Sequence, residues 1–191
     1  MKKRALILIA SALLLGFSSM AADKDKIGKH LDPYIQGPVD EARLLKDVRH
    51  ALVMLPRYGV FDDLGFNVDG GTVTLSGQVV NPVLKDDAEY AVKRVEGVAS
   101  VIDNIEVLPL SPNDDRLRRA VYKAIYGDSV LSTRYGFQAV PSIHIIVKNG
   151  NLRLEGVVAN EMDRTLAFMR ANGVHGILNV QNDLQIEGKG K

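Results

Sequence analysis

The chain switches twice between two hydrophobic periods. Over residues 41–55, Leu44, Leu45, Val48, Leu52 and Leu55 recur at three- and four-residue steps, which predicts a helix with one apolar side and Asp40 as its N-cap. The period then drops to two. Leu64, Phe66 and Val68 alternate with polar residues, Asp69-Gly70-Gly71 turns the chain, and Val73, Leu75 and Val79 alternate on the way back. Helical spacing returns over about 83–95 with Val83, Ala88, Ala91, Val92 and Val95, and a last strand is predicted over 98–107. The same series follows again. Ser111 is the N-cap and Pro112 the first residue of a helix carrying Leu117, Val121, Ala124 and Ile125. Ile143, Ile145 and Val147 alternate up to Asn149-Gly150, a type I′ turn signal because both central residues need positive φ. Leu152, Leu154 and Val158 return, a helix over about 161–172 presents Met162, Leu166, Ala167 and Met169, and the last strand covers 177–186.

The repetition is literal in places. VDGGTVTLSGQVVN (68–81) lies without a gap over VKNGNLRLEGVVAN (147–160), and residues 66–107 match 145–186 at a constant offset of 79. Upstream the offset is 73, so the second copy holds six extra residues within roughly 126–142. A unit this long exceeds solenoid periods of roughly 20–50 residues, and two copies of a small domain describe it better. The fold class expected is α+β: two tandem α-β-β-α-β domains, each a small three-stranded sheet with two helices on one face and the other face exposed. The domains are placed at 39–108 and 114–188, with 109–113 as linker. Each is marginal in size alone, so the two are expected to pack on each other. Gly77 and Gly156 fall in phase with inward residues, and the expected reason is structural: a helix crosses the sheet there and leaves room only for hydrogen. Gly97 and Gly176 are also read as structural, as stops near the helix ends.

Composition adds a compartment. Lys2, Lys3 and Arg4 precede an apolar stretch, Ala5 to Phe17, shorter than the ~20 residues of a spanning helix, and small residues follow. Residues 1–21 are therefore expected to be a secretory signal peptide, and 22–38 a flexible leader. Removing three positive charges takes the formal charge of +1 to −2, so no global field favours nucleic acid. The chain has no cysteine, hence no disulfide, no thiol nucleophile and no lipidated N-terminal cysteine.

Little in the sequence suggests catalysis. His30, His50, His144 and His175 lack metal-ligand spacing, no nucleophile or phosphate-binding motif occurs, and no cofactor or enzymatic activity is expected. The stretch RLRRAVYKAIY (116–126) stands apart. Opposite its apolar stripe lie Arg119, Tyr122, Lys123 and Tyr126, flanked by Arg116 and Arg118, while the equivalent face of the first copy carries Lys46, Asp47 and His50 and no aromatic. Arginine pairs with phosphate, and tyrosine suits the border between apolar and wet, so these six residues are the candidate contact for an anionic phospholipid surface. Each basic residue there is worth about 1 kcal/mol, which makes the attachment weak. The alternative is a protein-interaction or chaperone-like module that engages envelope proteins through an exposed sheet face or edge.

The motifs resemble a known family. Val73-Thr74-Leu75-Ser76-Gly77-Gln78-Val79, then Val95-Glu96-Gly97-Val98, then Val101 to Val107 is similar to the BON domain pattern; Leu152 to Val158, Val174-His175-Gly176-Ile177 and Val180 to Ile186 repeat it. The resemblance covers about 40–188. It implies a periplasmic protein with two such domains, similar to osmotically inducible proteins and to envelope-maintenance lipoproteins, which attaches to phospholipid surfaces or envelope partners and has no enzymatic chemistry. The missing lipobox cysteine departs from the lipoprotein subgroup, and the insert around RYGFQAVPSI (134–143) has no counterpart in the first copy.

Overall fold

The computed structural model describes residues 40–188; the expected signal peptide and leader lie outside the described residues. Helix α1 (Glu41–Val53) starts where the Asp40 carboxylate accepts the amides of Ala42 and Arg43, and it buries Leu44, Val48 and Leu52. The apolar side is narrower than expected, for Leu45 is turned to solvent. Strands β1 (Asp63–Asp69) and β2 (Thr72–Val79) pair antiparallel, Phe66 opposite Leu75 and Val68 opposite Val73. Helix α2 (Pro82–Lys93) is capped by Asn81 and buries Leu84, Ala88 and Val92. That i, i+4, i+8 row leaves Val83 exposed, against the expectation.

The single last strand expected over 98–107 is two short ones, β3 (Ser100–Asp103) and β4 (Glu106–Val107), both parallel to β2. The Asp103 carboxylate accepts the Ile105 amide across the break, and Ile105 is buried in the core. The register survives, since Asp103 faces Leu75 and Glu106 faces Gln78.

The second copy runs α3 (Pro112–Tyr126), α4 (Ser129–Tyr135), β5 (Ile143–Lys148), β6 (Asn151–Val158), α5 (Glu161–Asn172), β7 (Asn179–Asn182) and β8 (Gln185–Ile186). Asn149 (φ 53°) and Gly150 (φ 77°) make the predicted left-handed turn. Helix α3 begins at Pro112, inside the stretch assigned as linker, because Ser111 caps it. The extra residues fold mainly as α4. In α5 the buried residues are Asp163, Ala167 and Ala171, while Met162 and Met169 face solvent, a correction to the expected stripe. Asp163 occupies the place of Leu84, and α4 supplies what a buried carboxylate requires. The Tyr135 hydroxyl donates to it at 2.6 Å, Arg134 pairs with it at 2.5 Å, and Asn160 reaches it at 3.2 Å. Burial pushes the Asp163 carboxyl up, and the hydrogen bonds from Tyr135 and Arg134 more than reverse this, leaving it below its ordinary range.

Each copy encloses its own core, Leu44 to Ile105 in one and Leu117 to Leu184 in the other, where every fully buried aliphatic side chain is worth about 1.5–3 kcal/mol. The mid-strand glycines are explained differently from the expectation. No helix presses on them. A side chain at Gly77 (φ 117°) would land on the Asp63 carbonyl oxygen of β1, and one at Gly156 (φ 116°) on that of Ser142. These are kinks where the hairpin folds against its own partner strand. Gly97 (φ 92°) and Gly176 (φ 95°) make left-handed turns just beyond α2 and α5, while Arg94 and Gly173 are the caps.

The two copies meet through the stretch between α1 and β1. Val60 and Phe61 pack against the second core, and the Ile145 amide donates to the Val60 carbonyl at 2.8 Å. Arg153 reaches Gln78 at 3.0 Å, and Lys148 pairs with Glu106. The expectation of an exposed outer sheet face therefore fails at β5, whose residues Ile143 to Val147 are all buried.

Candidate functional site

Helix α3 turns Leu117, Val121 and Ile125 into the core, and this fixes where its polar residues go. Arg116, Arg119, Tyr122 and Lys123 come out on the exposed side. Arg118 and Tyr126 do not, and both leave the candidate surface. Arg118 is only 3% exposed; its guanidinium donates to the Val147 carbonyl at 2.6 Å and pairs with Asp115 at 2.5 Å. The Tyr126 hydroxyl donates to the Ile143 carbonyl at 2.7 Å and accepts the Ile143 amide, and burial pushes that hydroxyl's pKa up. Asp114 is also turned inward, accepting the amides of Asn149 and Gly150. The side chains of Asp114, Arg118 and Tyr126 therefore answer the outward backbone groups of β5 and its turn.

What stays exposed is a short cationic row. Arg116 donates to Asn113 at 3.0 Å, and among the described residues neither Arg119 nor Lys123 has a carboxylate partner. The acids nearby are already engaged: Asp115 by Arg118, and Asp128 by Arg170 at 2.7 Å. Tyr122, 38% exposed, lies edge-on to Phe61 at 6.2 Å and against Tyr126 at 4.9 Å. Two shallow hollows flank the row. One of about 460 Å³ is lined by Val60, Phe61, Arg119, Tyr122 and Pro141 among others, and one of about 670 Å³ includes Lys123, Asp128, Met169 and Arg170.

A second group of ionisable residues lies where the copies meet. Tyr58 stacks on His144 with ring centroids 5.4 Å apart. Burial pushes the Tyr58 hydroxyl up and the His144 imidazole down, which favours both neutral forms. Asp62 accepts the amides of Val80 and Gly59, and burial raises its pKa despite them. Glu155 is pushed up to about 7 by burial and by the carboxylates of Asp63 and Asp183, against the pull of Arg153. Tyr58 and Asp62 come from the stretch between α1 and β1, His144 from β5 and Glu155 from β6, and none of the four lines either hollow beside α3. Tyr58 and Phe61 were not singled out in the sequence because they lie in the stretch between two periodic elements, where spacing carries no information; His144, within β5, was weighed there only as a metal ligand.

The BON domain profile matches residues 40–109 and again 113–188. Osmotically-inducible protein Y of Escherichia coli (strain K12) is 29% identical over 130 residues, 64% of this chain and 61% of that protein. The chain thus spans about three fifths of that relative's length. Among solved structures, CdsD, a structural protein of the Type III secretion system of Chlamydia trachomatis, is 16% identical with a TM-score of 0.29, covering 78% of this chain and 95% of that one. The C-terminal domain of CdsD is 20% identical with the same TM-score of 0.29, covering 80% and 99%.

Proposed function

Because the chain belongs to the BON domain family, we propose that it is a non-catalytic protein of the periplasm that serves envelope maintenance under osmotic stress, and that it associates weakly with anionic phospholipid through α3 of its second copy. The similarity to osmotically-inducible protein Y supports the stress setting. One observation carries the lipid contact: Arg116, Arg119 and Lys123 lie exposed along one face, and no carboxylate neutralises Arg119 or Lys123 among the described residues.

The magnitude is small. Three basic residues at about 1 kcal/mol each give roughly 3 kcal/mol, weaker than a millimolar affinity. Several α3 faces acting together would be needed for firm attachment. In co-sedimentation with vesicles of phosphatidylglycerol and phosphatidylethanolamine, the protein should bind, binding should fall steeply as salt rises, and R119E/K123E should abolish it. Equal binding by the double variant would refute the site. The alternative, engagement of envelope proteins through a strand edge, loses β5 as a candidate, because side chains and Val60 already answer its outward groups.

A further inference from the structure

In the first copy the same edge is open, among the described residues, at Phe66 and Val68, while the Leu64 backbone beside them is met by Tyr58. Leu75 accepts the Asn104 amide on its β4 side, so the paired Phe66 directs its own amide and carbonyl away from β2, and Val68 does likewise. In the second copy the equivalent positions on β5 are answered by Val60, Arg118 and Tyr126. The α1 residues standing where α3 has Arg118 and Tyr126 are Leu45 and Val53, which carry no donor. Among the described residues nothing bonds the outward groups of Phe66 and Val68. Leu45 is 40% and Val53 49% exposed, so the side of α1 toward this edge carries apolar residues with no partner among the described residues.

The segment that fills the second copy's edge has a sequence twin inside 134–143, so that stretch does have a partial counterpart in the first copy, contrary to the expectation. Val60-Phe61 follows Arg57-Tyr58-Gly59; Phe137-Gln138 follows Arg134-Tyr135-Gly136. Both arginines pair with an aspartate on the helix that follows the hairpin of their own copy, Arg57 with Asp87 on α2 and Arg134 with Asp163 on α5. Val60 and Phe61 are partly buried against the neighbouring copy's core, whereas Phe137 is 85% exposed. The chain therefore holds one used plug with its socket, and one unused plug with an unused socket.

We infer that the chain assembles head to tail: Phe137 of one molecule seats at the α1/β1 edge of a second copy, repeating between molecules the contact that Val60 and Phe61 make within one. The two ends are distinct surfaces, so the contact is heterologous and propagates into a ring or an open row. Charge permits it. At the positions of the internal pair Lys148–Glu106 the repeated interface places Asp69 against Gln185, and at those of Arg153–Gln78 it places Thr74 against Val157, with no like charges opposed. It is the weaker of the two contacts, because Tyr135 is committed to Asp163 and cannot stack across the interface as Tyr58 does on His144. The inference does not rest on the lipid reading, although such a row would align several α3 faces.

The test uses protein lacking its first 21 residues, which keeps both cores whole, without lipid. Sedimentation velocity should show mass rising past a dimer as concentration increases. F137S, at a site outside either core, should weaken assembly at least about tenfold and leave the thermal midpoint unchanged. The chain has no cysteine, so V53C and F137C each introduce a unique thiol. Under mild oxidation the mixture should give a mixed disulfide dimer in excess of either variant alone. A monomer at every concentration up to about 1 mM, a threshold where association is worth only ~4 kcal/mol, would overturn the inference. So would a mixture that cross-links no more than the single variants. Loss of vesicle binding by F137S with unchanged self-association would assign Phe137 to the membrane and equally overturn it.

Discussion

The Tyr135 hydroxyl lies 2.6 Å from the Asp163 carboxylate, at a core position that the first copy fills with Leu84. The same hydroxyl accepts the Ala159 amide at 2.9 Å. Y135F therefore removes the Ala159 amide's acceptor and one of the buried carboxylate's donors, at a cost of about 1–3 kcal/mol. D163L instead takes away the acceptor of the hydroxyl's proton, leaving only its bond from the Ala159 amide. The double variant Y135F/D163L restores an apolar pair like that of the first copy and should be less destabilised than the two losses added. Urea unfolding of the three variants checks this. Because Asp163 titrates below its unfolded value, its contribution is complete above about pH 4 and is lost as the pH falls through the folded value.

The kinked glycines make a sharper contrast. G156A would put a methyl group on the Ser142 carbonyl oxygen at a φ that side chains rarely adopt, and G77A meets the Asp63 carbonyl in the same way. Each should cost about 3 kcal/mol or more. Gly59, at an ordinary φ with its nearest neighbour 3.7 Å away, should accept alanine for less than about 1 kcal/mol. Thermal melts of the three variants separate backbone constraint from simple crowding.

Much of this was legible in the sequence. The alternation of Ile143, Ile145 and Val147 set the inward face of β5, and Ser111 and Pro112 set the start of α3. What misled was the assumption that a charged residue opposite an apolar stripe meets water. Arg118 meets the free edge of β5 and Tyr126 meets Ile143, and only the turn of the sheet under the helix decides that. Asp163 could not be read as buried, because its donors come from the insert, which has no period. The exposed Met162 and Met169 are the other side of that error: a stripe centred on them places Asp163 outside.

Arg118 and Arg119 are adjacent and should behave as opposites. R118A removes a buried guanidinium and leaves the Val147 carbonyl without its donor, while Asp115 stays half-exposed, and should destabilise the chain by about 1–3 kcal/mol. R119A removes an exposed charge and should change stability by no more than about 0.5 kcal/mol while weakening vesicle binding. Paired measurements of urea unfolding and vesicle co-sedimentation test both. Similar stability losses in the two variants would contradict the burial of one and the exposure of the other.

The folded chain should lose stability as pH rises through the range where Glu155 ionises. Glu155 lies on β6, 3.0 Å from Arg153, with Asp63 also within Arg153's reach at 3.9 Å. Burial and the neighbouring carboxylates hold its folded pKa near 7, whereas the unfolded chain ionises at about 4.3. Between those values the folded state keeps a proton that the unfolded state has released. Stability is therefore full below about pH 4 and falls as the pH rises towards 7. E155Q keeps the shape and the hydrogen-bonding capacity without the charge, so it should gain roughly 1–2 kcal/mol over the native chain at pH 8 and much less at pH 5. Chemical unfolding of both proteins at the two pH values reads the difference directly, and an equal gap at pH 5 and pH 8 would mean that Glu155 ionises at the same pH folded and unfolded.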